Sequence, residues 1–390
     1  MPPTETPAPP GETKTNWLLI LVLWCAGLAA AAQFGKISAT FDLLEGGYGG
    51  GIAIMVSIVG LVGLVFGTTA GLIVQRLGYT RVLVTALLIG AAMSGVQSFG
   101  LPYPVMMASR IVEGFSHLGV VVAAPVLIAR VAEPRHLGAA MSLWSSFFGV
   151  SFALTARFGL PLAEARGVGA LFAIHALVLV VLAALIGTLA PRLPRTISPL
   201  GGILRRHVEI YRSPSIAAPG LGFVFYTAMY VALLTLLPQL AAGSQKVWIA
   251  TGMPLISIAV SLTLGVWLLT RFHPVRLVQA GYLTSVLAGV WLWLSPAGAM
   301  ATPALLLAAA LGLVQGASFA SIPRLNASDE DRSKAAGAVA QLGNLGTTSG
   351  TPLLSALIAG YGISGVLMFV LPLGLCGIAT TEWLRRRRNS

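Results

Sequence analysis

The sequence predicts an all-α integral membrane protein of twelve transmembrane helices, arranged as two six-helix pseudo-repeats. Three observations point there. The 390 residues are 56% hydrophobic and only 9% charged, with mean hydropathy +0.86, outside the range of a soluble core. The apolar residues fall in runs long enough to cross about 30 Å of hydrocarbon, which takes roughly 20 helical residues. The basic residues concentrate in alternate connections between those runs.

The first six runs lie near 16–37, 49–71, 82–100, 103–130, 136–160 and 168–190. The second six lie near 215–239, 247–270, 276–295, 303–322, 334–360 and 364–383. Each is predicted helical, because a helix satisfies its own backbone hydrogen bonds in lipid, whereas barrel strands would be shorter and would alternate apolar with polar. Ahead of the first run, residues 1–15 (MPPTETPAPPGETKT) are Pro-rich and polar, and a disordered cytoplasmic tail is expected there, followed by an uncleaved first helix. The longest connection, a cytoplasmic loop over 191–214, separates an N-terminal half (16–190) from a C-terminal half (215–383), and a basic tail closes the chain over 384–390.

Lys and Arg resist translocation and mark the cytoplasmic side. With the N-terminus inside, 19 of the 24 basic residues fall in cytoplasmic segments, among them Arg76, Arg81, Arg130, Arg135, Arg324 and the Arg385–Arg388 run. Only Arg166 and Lys246 fall outside, and Lys36, Arg110 and Arg157 lie within spans. The net charge of +12 is therefore a topology signal, and no nucleic-acid partner is expected. A multi-pass protein of a bacterial inner membrane, with both termini cytoplasmic, is the expected setting. Cys25 and Cys376 sit inside apolar runs, so neither a disulfide framework nor a metal site is inferred.

The halves repeat. QRLGYTRVLV at 75–84 and TRFHPVRLVQ at 270–279 share two arginines five apart, and RIVEGFSH at 110–117 aligns with GLVQGASF at 312–319. In the second pair Glu113 faces Gln315 and Gly114 faces Gly316. Parallel halves of this kind place a binding site between them near the midplane.

GLIVQRLGYTRVL at 71–83 resembles the loop between the second and third helices of the major facilitator superfamily, roughly G-x-L-a-D-R-x-G-R-[KR]. Gly71, Arg76, Gly78 and, one place late, Arg81 fit it; Gln75 stands where the family has aspartate. The resemblance implies a gating loop, here with hydrogen bonds in place of an ion pair at Gln75. RIVEG at 110–114 looks like the family's fourth-helix R-x-x-x-G, which implies that Arg110 assists substrate or proton handling. GVSFALTARFGLPLAEARG at 149–167 weakly resembles the fifth-helix motif of proton-linked antiporters, through Gly149, Gly159 and Pro161.

Arg110, Glu113 and His117 share a face of the fourth span at spacings of three and four. Glu113, ten residues past Tyr103, lies roughly 15 Å deep, where a charge costs at least about 2.5–3.5 kcal/mol and needs partners or a wet cavity. It is the one acid well inside any span. A structural Arg110–Glu113 pair is one reading; the other makes Glu113 the proton carrier, with Arg110 biasing its pKa or binding an anionic substrate. His117 extends the proton path or makes an interhelical hydrogen bond, and His175 has a weaker version of the same alternatives. Lys36 is expected to reach the outer interface. Arg157 either does the same or faces the cavity, where with Arg110 it would favour anionic or zwitterionic substrates. Gln315, Gln341 and Asn344 are the neutral candidates for substrate binding in the C-terminal half.

No G-x-x-x-x-G-K-[ST] motif and no nucleophile or metal constellation occurs, so neither an enzyme nor a cofactor is expected. The expected function is secondary active transport of a small organic solute by alternating access, driven by a proton gradient, in a chain that works as a monomer within the bilayer. Proton-antiport export of drug-like compounds or metabolites, and a non-transporting sensor on the same scaffold, stand as alternatives.

Overall fold

The computed structural model describes residues 14–191 and 203–389. Most of the expected N-terminal tail (1–13) and of the central loop (192–202) therefore lies outside the described residues. Six helical segments form the first half: α1 (Trp17–Ala39), α2 (41–77), α3 (Tyr79–Gln97), α4 (Tyr103–Val131), α5 (Arg135–Arg166) and α6 (Val168–Leu189). Six form the second: α7 (Pro214–Leu240), α8 (Ser244–Leu269), α9 (Pro274–Leu294), α10 (Ala301–Leu325), α11 (Asp329–Tyr361) and α12 (Ile363–Asn389). Eleven of them are long and apolar enough to cross a membrane; α11 is the more polar twelfth. An amphipathic helix, Ile203–Arg212, precedes α7.

Local chemistry sets the boundaries. The Asn16 side chain caps α1 by accepting from Leu19 N at 3.0 Å, and Ser328 caps α11 by accepting from Asp331 N at 3.1 Å. Proline opens α7 and α9, where its missing N–H costs nothing. Gly78, at φ 93°, makes the sharp turn between α2 and α3 that a side chain would strain. The second helix starts earlier than expected: instead of a loop to residue 48, the chain is already helical over Phe41–Tyr48, passes through one 3-10 turn at Gly49–Gly51, and continues. Glycines at 46–51 read as a loop in the sequence, yet they leave the backbone free to stay helical at the membrane edge. The fifth helix contains a π-type turn, Thr155–Gly159.

Within the first half α1 packs on α4, α5 and α6, and α3 on α4 and α6; in the second, α7 packs on α10, α11 and α12, and α9 on α10 and α12. Among the described residues the broadest contacts between the halves are α2 with α11, α5 with α8, and α1 with α7. These are the pairings a two-fold relation between equal halves produces. The first seam is shaped by small residues, because Gly60, Gly63 and Gly67 on one face of α2 meet Thr348, Asn344 and Gln341 on one face of α11. A β-carbon at Gly63 would collide with the Asn344 amide. In the second seam Gly149 of α5 lies against Ile258 of α8 and the Tyr230 hydroxyl of α7.

At the face opposite the two termini, Ser38 donates to Thr235 Oγ1 at 2.6 Å and Lys246 pairs with Asp42, so both polar contacts tie one half to the other. At the terminal face Thr15 is held by the α4–α5 turn: its N–H donates to Glu133 Oε1 at 3.0 Å and its hydroxyl accepts from Glu133 N at 3.0 Å.

Candidate functional site

The polar groups of α1, α3, α4 and α6 converge on one carboxylate. Glu113 Oε1 accepts from Lys36 Nζ at 2.6 Å, and Oε2 accepts from Arg110 Nη1 at 2.5 Å and from Gln97 Nε2 at 3.0 Å. Lys36 also donates to Gln97 Oε1 at 2.8 Å and to Ser94 Oγ at 2.9 Å, and lies 4.8 Å from the centroid of the Phe172 ring. Arg110 and Glu113 are wholly buried and Lys36 is 1% exposed. Two cations thus share one anion in a buried interior, where each ion is tolerable because neighbouring polar groups stand in for bulk solvent.

Helix geometry explains the convergence. Gln33 and Lys36 on α1, Ser94 and Gln97 on α3, and Arg110 and Glu113 on α4 are each three apart, one face per helix. The three faces point at a common axis. Arg110 Nε is spent on the Met55 carbonyl of α2 at 3.0 Å, which aims the guanidinium and leaves Nη2 buried without an acceptor. On α1, Gln33 donates to Ser116 Oγ at 2.9 Å while its Oε1 lacks a donor. A free donor and a free acceptor therefore sit on either side of the α1–α4 contact.

Both buried histidines are committed to backbone. His175 Nε2 lies 2.9 Å from the Ala29 carbonyl, which can only accept, so Nε2 carries the proton, and Nδ1 lies 2.9 Å from Ser94 Oγ, whose single proton has the Phe172 carbonyl at 3.0 Å as its other acceptor. A chain of contacts then runs from His175 through Ser94 and Lys36 to Glu113. His117 donates Nδ1 to the Ala30 carbonyl at 3.1 Å and meets Phe34 edge-on with centroids 5.0 Å apart. Its ring bonds to α1 rather than to the carboxylate one turn away.

The structure brings together Arg110 and Glu113, puts His117 beside them, and disperses the other candidates. Arg157 is exposed in the π-type turn of α5, its guanidinium 5.5 Å from the Phe158 ring centroid. Gln315 is half-buried on α10. Gln341 and Asn344 lie in the α2–α11 seam. There Gln341 donates to the Leu64 carbonyl at 3.3 Å and accepts from Tyr211 at 2.8 Å, while Asn344 donates to Ala340 O in its own helix at 2.8 Å. Of the loop residues, Gly71 and Arg76 end α2, Gly78 makes the turn, and Arg81 opens α3 on the rim of an apolar groove of about 340 Å³ between α2, α3 and α4. The side chain of Gln75 lies outside the described residues.

The expectation for Lys36 is overturned. Rather than reaching the interface, its ammonium turns inward, because Glu113, Gln97 and Ser94 offer three acceptors that a lipid-facing lysine would lack. Lys36, Gln97 and Ser94 were missed as site residues. The paired polar residues three apart in otherwise apolar helices are the signal that would have found them.

Residues 19–327 match the family model described as the Major Facilitator Superfamily. No curated protein matches the chain in sequence at a significant level. Among solved structures, that of the human organic anion transporter MFSD10 (TETRAN) superposes with a TM-score of 0.70 at 17% identity, covering 96% of this chain and 100% of that one. Twelve helices in two halves, seams that pair α2 with α11 and α5 with α8, and a family match running through both halves lead to one conclusion: the chain belongs to the Major Facilitator Superfamily of membrane transporters.

Proposed function

We propose that this transporter is a secondary active one, moving a small organic anion or zwitterion by alternating access between its halves, with a proton as coupling ion and Glu113 as its carrier. One observation carries the reading: in the triad two cations share one carboxylate, and Arg110 Nη2 still lacks an acceptor. A substrate carboxylate supplies that acceptor. Once Glu113 is protonated, Lys36 and Arg110 lose their counter-charge together, and an anion becomes the favoured occupant. When the anion leaves, the two cations again favour the carboxylate and the proton is released. His117 and His175 lie within the same polar region as further stations for the proton. Arg157 adds positive charge nearer the membrane edge. Gln315, Gln341 and Asn344 offer neutral hydrogen bonds from the other half. The name of the similar human structure, an organic anion transporter, is consistent with this substrate class.

The functional unit is the monomer in a bacterial inner membrane with both termini cytoplasmic, and the loop around Gly71, Gln75, Arg76, Gly78 and Arg81 gates the cytoplasmic side. The test is flux into proteoliposomes carrying a pH-sensitive dye, across a panel of organic acids, amino acids, sugars and cationic drugs. Uptake of an organic acid accompanied by proton movement, and absent in Arg110→Ala, is the expected result. Proton-antiport export of drug-like compounds is the second reading, favoured by Gly149, which belongs to the antiporter-like stretch and lies in the α5–α8 seam. Proton-linked movement of a lipophilic cation alone would select it, and no flux of any solute would select a sensor.

A further inference from the structure

Near the terminal face of the second half, away from the triad, the helices leave a small, partly open cavity of about 20 Å³. Its polar walls are Ser318 and Ser321 of α10 with Thr381 and Arg388 of α12; Pro219 and Gly222 of α7 close the side facing them. Ser318 is 2% exposed and its Oγ has no hydrogen-bond partner. Arg388 Nη1 is also buried and without an acceptor. The neighbouring arginines are engaged elsewhere: Arg385 and Arg386 bond Glu382 at 2.7–2.9 Å, and Arg387 lies 4.6 Å from the Trp383 ring centroid. Arg388 instead turns back into the bundle.

The surroundings are cationic. Burial, and then the neighbouring Arg324, Arg388 and Arg276, hold the His273 imidazole below its usual pKa, so these side chains crowd one corner of the molecule. Glu382, the nearby acid, is bonded to Arg385, Arg386 and Gln279. Ser321 and Thr381 commit their hydroxyl protons to the Ser318 carbonyl at 2.6 Å and the Gly377 carbonyl at 2.8 Å. What faces the cavity unpaired is a guanidinium N–H and a hydroxyl, two donors and a positive charge. A water molecule would satisfy a donor but leave the charge uncompensated, whereas a small anion would answer both donors and the charge together.

We propose that this cavity binds a single chloride ion, held by Arg388 Nη1 and Ser318 Oγ, which fastens the end of α12 to α7 and α10. The experiment uses the purified full-length protein, unfolded thermally while sodium chloride replaces sodium gluconate at constant ionic strength, with ³⁵Cl line broadening as a direct readout of binding. The midpoint is expected to rise with chloride and saturate, with bromide substituting. Ser318→Ala removes one oxygen without altering the fold and should raise the half-effective chloride concentration about tenfold, the loss of one charge-assisted hydrogen bond. Arg388→Gln should abolish the response and the line broadening. Equal midpoints in chloride and gluconate, a response to inorganic phosphate but not to halides, or an unchanged chloride response in both variants would each overturn the assignment.

Discussion

Glu113 is bonded by three side chains from two other helices and its own, so its removal is a question of charge balance before it is one of transport. Glu113→Gln leaves Lys36 and Arg110 buried with no anion, and Lys36→Met leaves the Arg110–Glu113 pair while Ser94 Oγ and Gln97 Oε1 each lose one donor. Stripping one partner from a buried pair costs about 3–5 kcal/mol, so Glu113→Gln should lower the thermal midpoint sharply. The double variant Lys36→Met/Glu113→Gln keeps the same formal charge as the wild type and should recover most of that loss. If the double variant unfolds as early as Glu113→Gln, the triad is not a stabilising unit. Arg110→Lys should transport poorly even if it folds, because one ammonium cannot reach both the Met55 carbonyl and Glu113 from the guanidinium's two edges; full flux in that variant would reduce Arg110 to a generic positive charge. This pairing was half legible in the sequence. Arg110 and Glu113 announce themselves by spacing within one helix, whereas Lys36 reaches them from a different helix, and no periodicity within a single span encodes which way α1 is rotated against α4.

At the scale of helices, the α2–α11 seam depends on the absence of side chains. Gly63→Val should push α2 off Asn344 and cut flux at least tenfold, while Gly46→Ala, with open space around its α-carbon, should leave it unchanged. Cysteine cross-linking between α2 and α11 reports the separation directly, and equal cross-linking in the two variants would contradict the seam. The number and order of helices were readable from hydropathy, since runs of apolar residues and basic connections are one-dimensional signals. The helical start of α2 was not, because glycines permit helix and loop alike and only tertiary contacts decide: Phe41 and Leu44 are buried, and the Tyr48 hydroxyl donates to the Leu101 carbonyl at 2.6 Å. Where Thr15 meets the α4–α5 turn, the Thr15 N–H, followed by Arg135, holds the Glu133 carboxyl below its ordinary pKa. A carboxylate of lowered pKa stabilises the folded contact above its unfolded value, near 4.3, and loses that contribution as pH falls through the folded one. Proteolysis near Thr15 should therefore accelerate on acidification in that window, and Glu133→Gln should remove the pH dependence; a pH-dependent cleavage rate in that variant would exclude the contact as its source.

For the molecule as a whole, Asp42 and Lys246 pair across the halves at the face opposite the termini, where both are partly exposed. An exposed pair is worth up to about 1 kcal/mol, too little to hold a fold but enough to move a two-state equilibrium about fivefold. Lys246→Met should thus leave the thermal midpoint near its wild-type value while making cysteines placed at Ser38 or Thr235 about five times more reactive toward a membrane-impermeant thiol reagent. Unchanged reactivity would show that this face is closed by packing alone. Every side-chain partner of Glu113, by contrast, belongs to the first half. Under the proposed alternating access, rocking one half against the other would leave those hydrogen bonds intact, and the charged cluster would ride as cargo within one half. Protonation of Glu113 and the swing of the halves could then be clocked separately: solvent isotope substitution should slow the first, and membrane thickness or stiffness should govern the second.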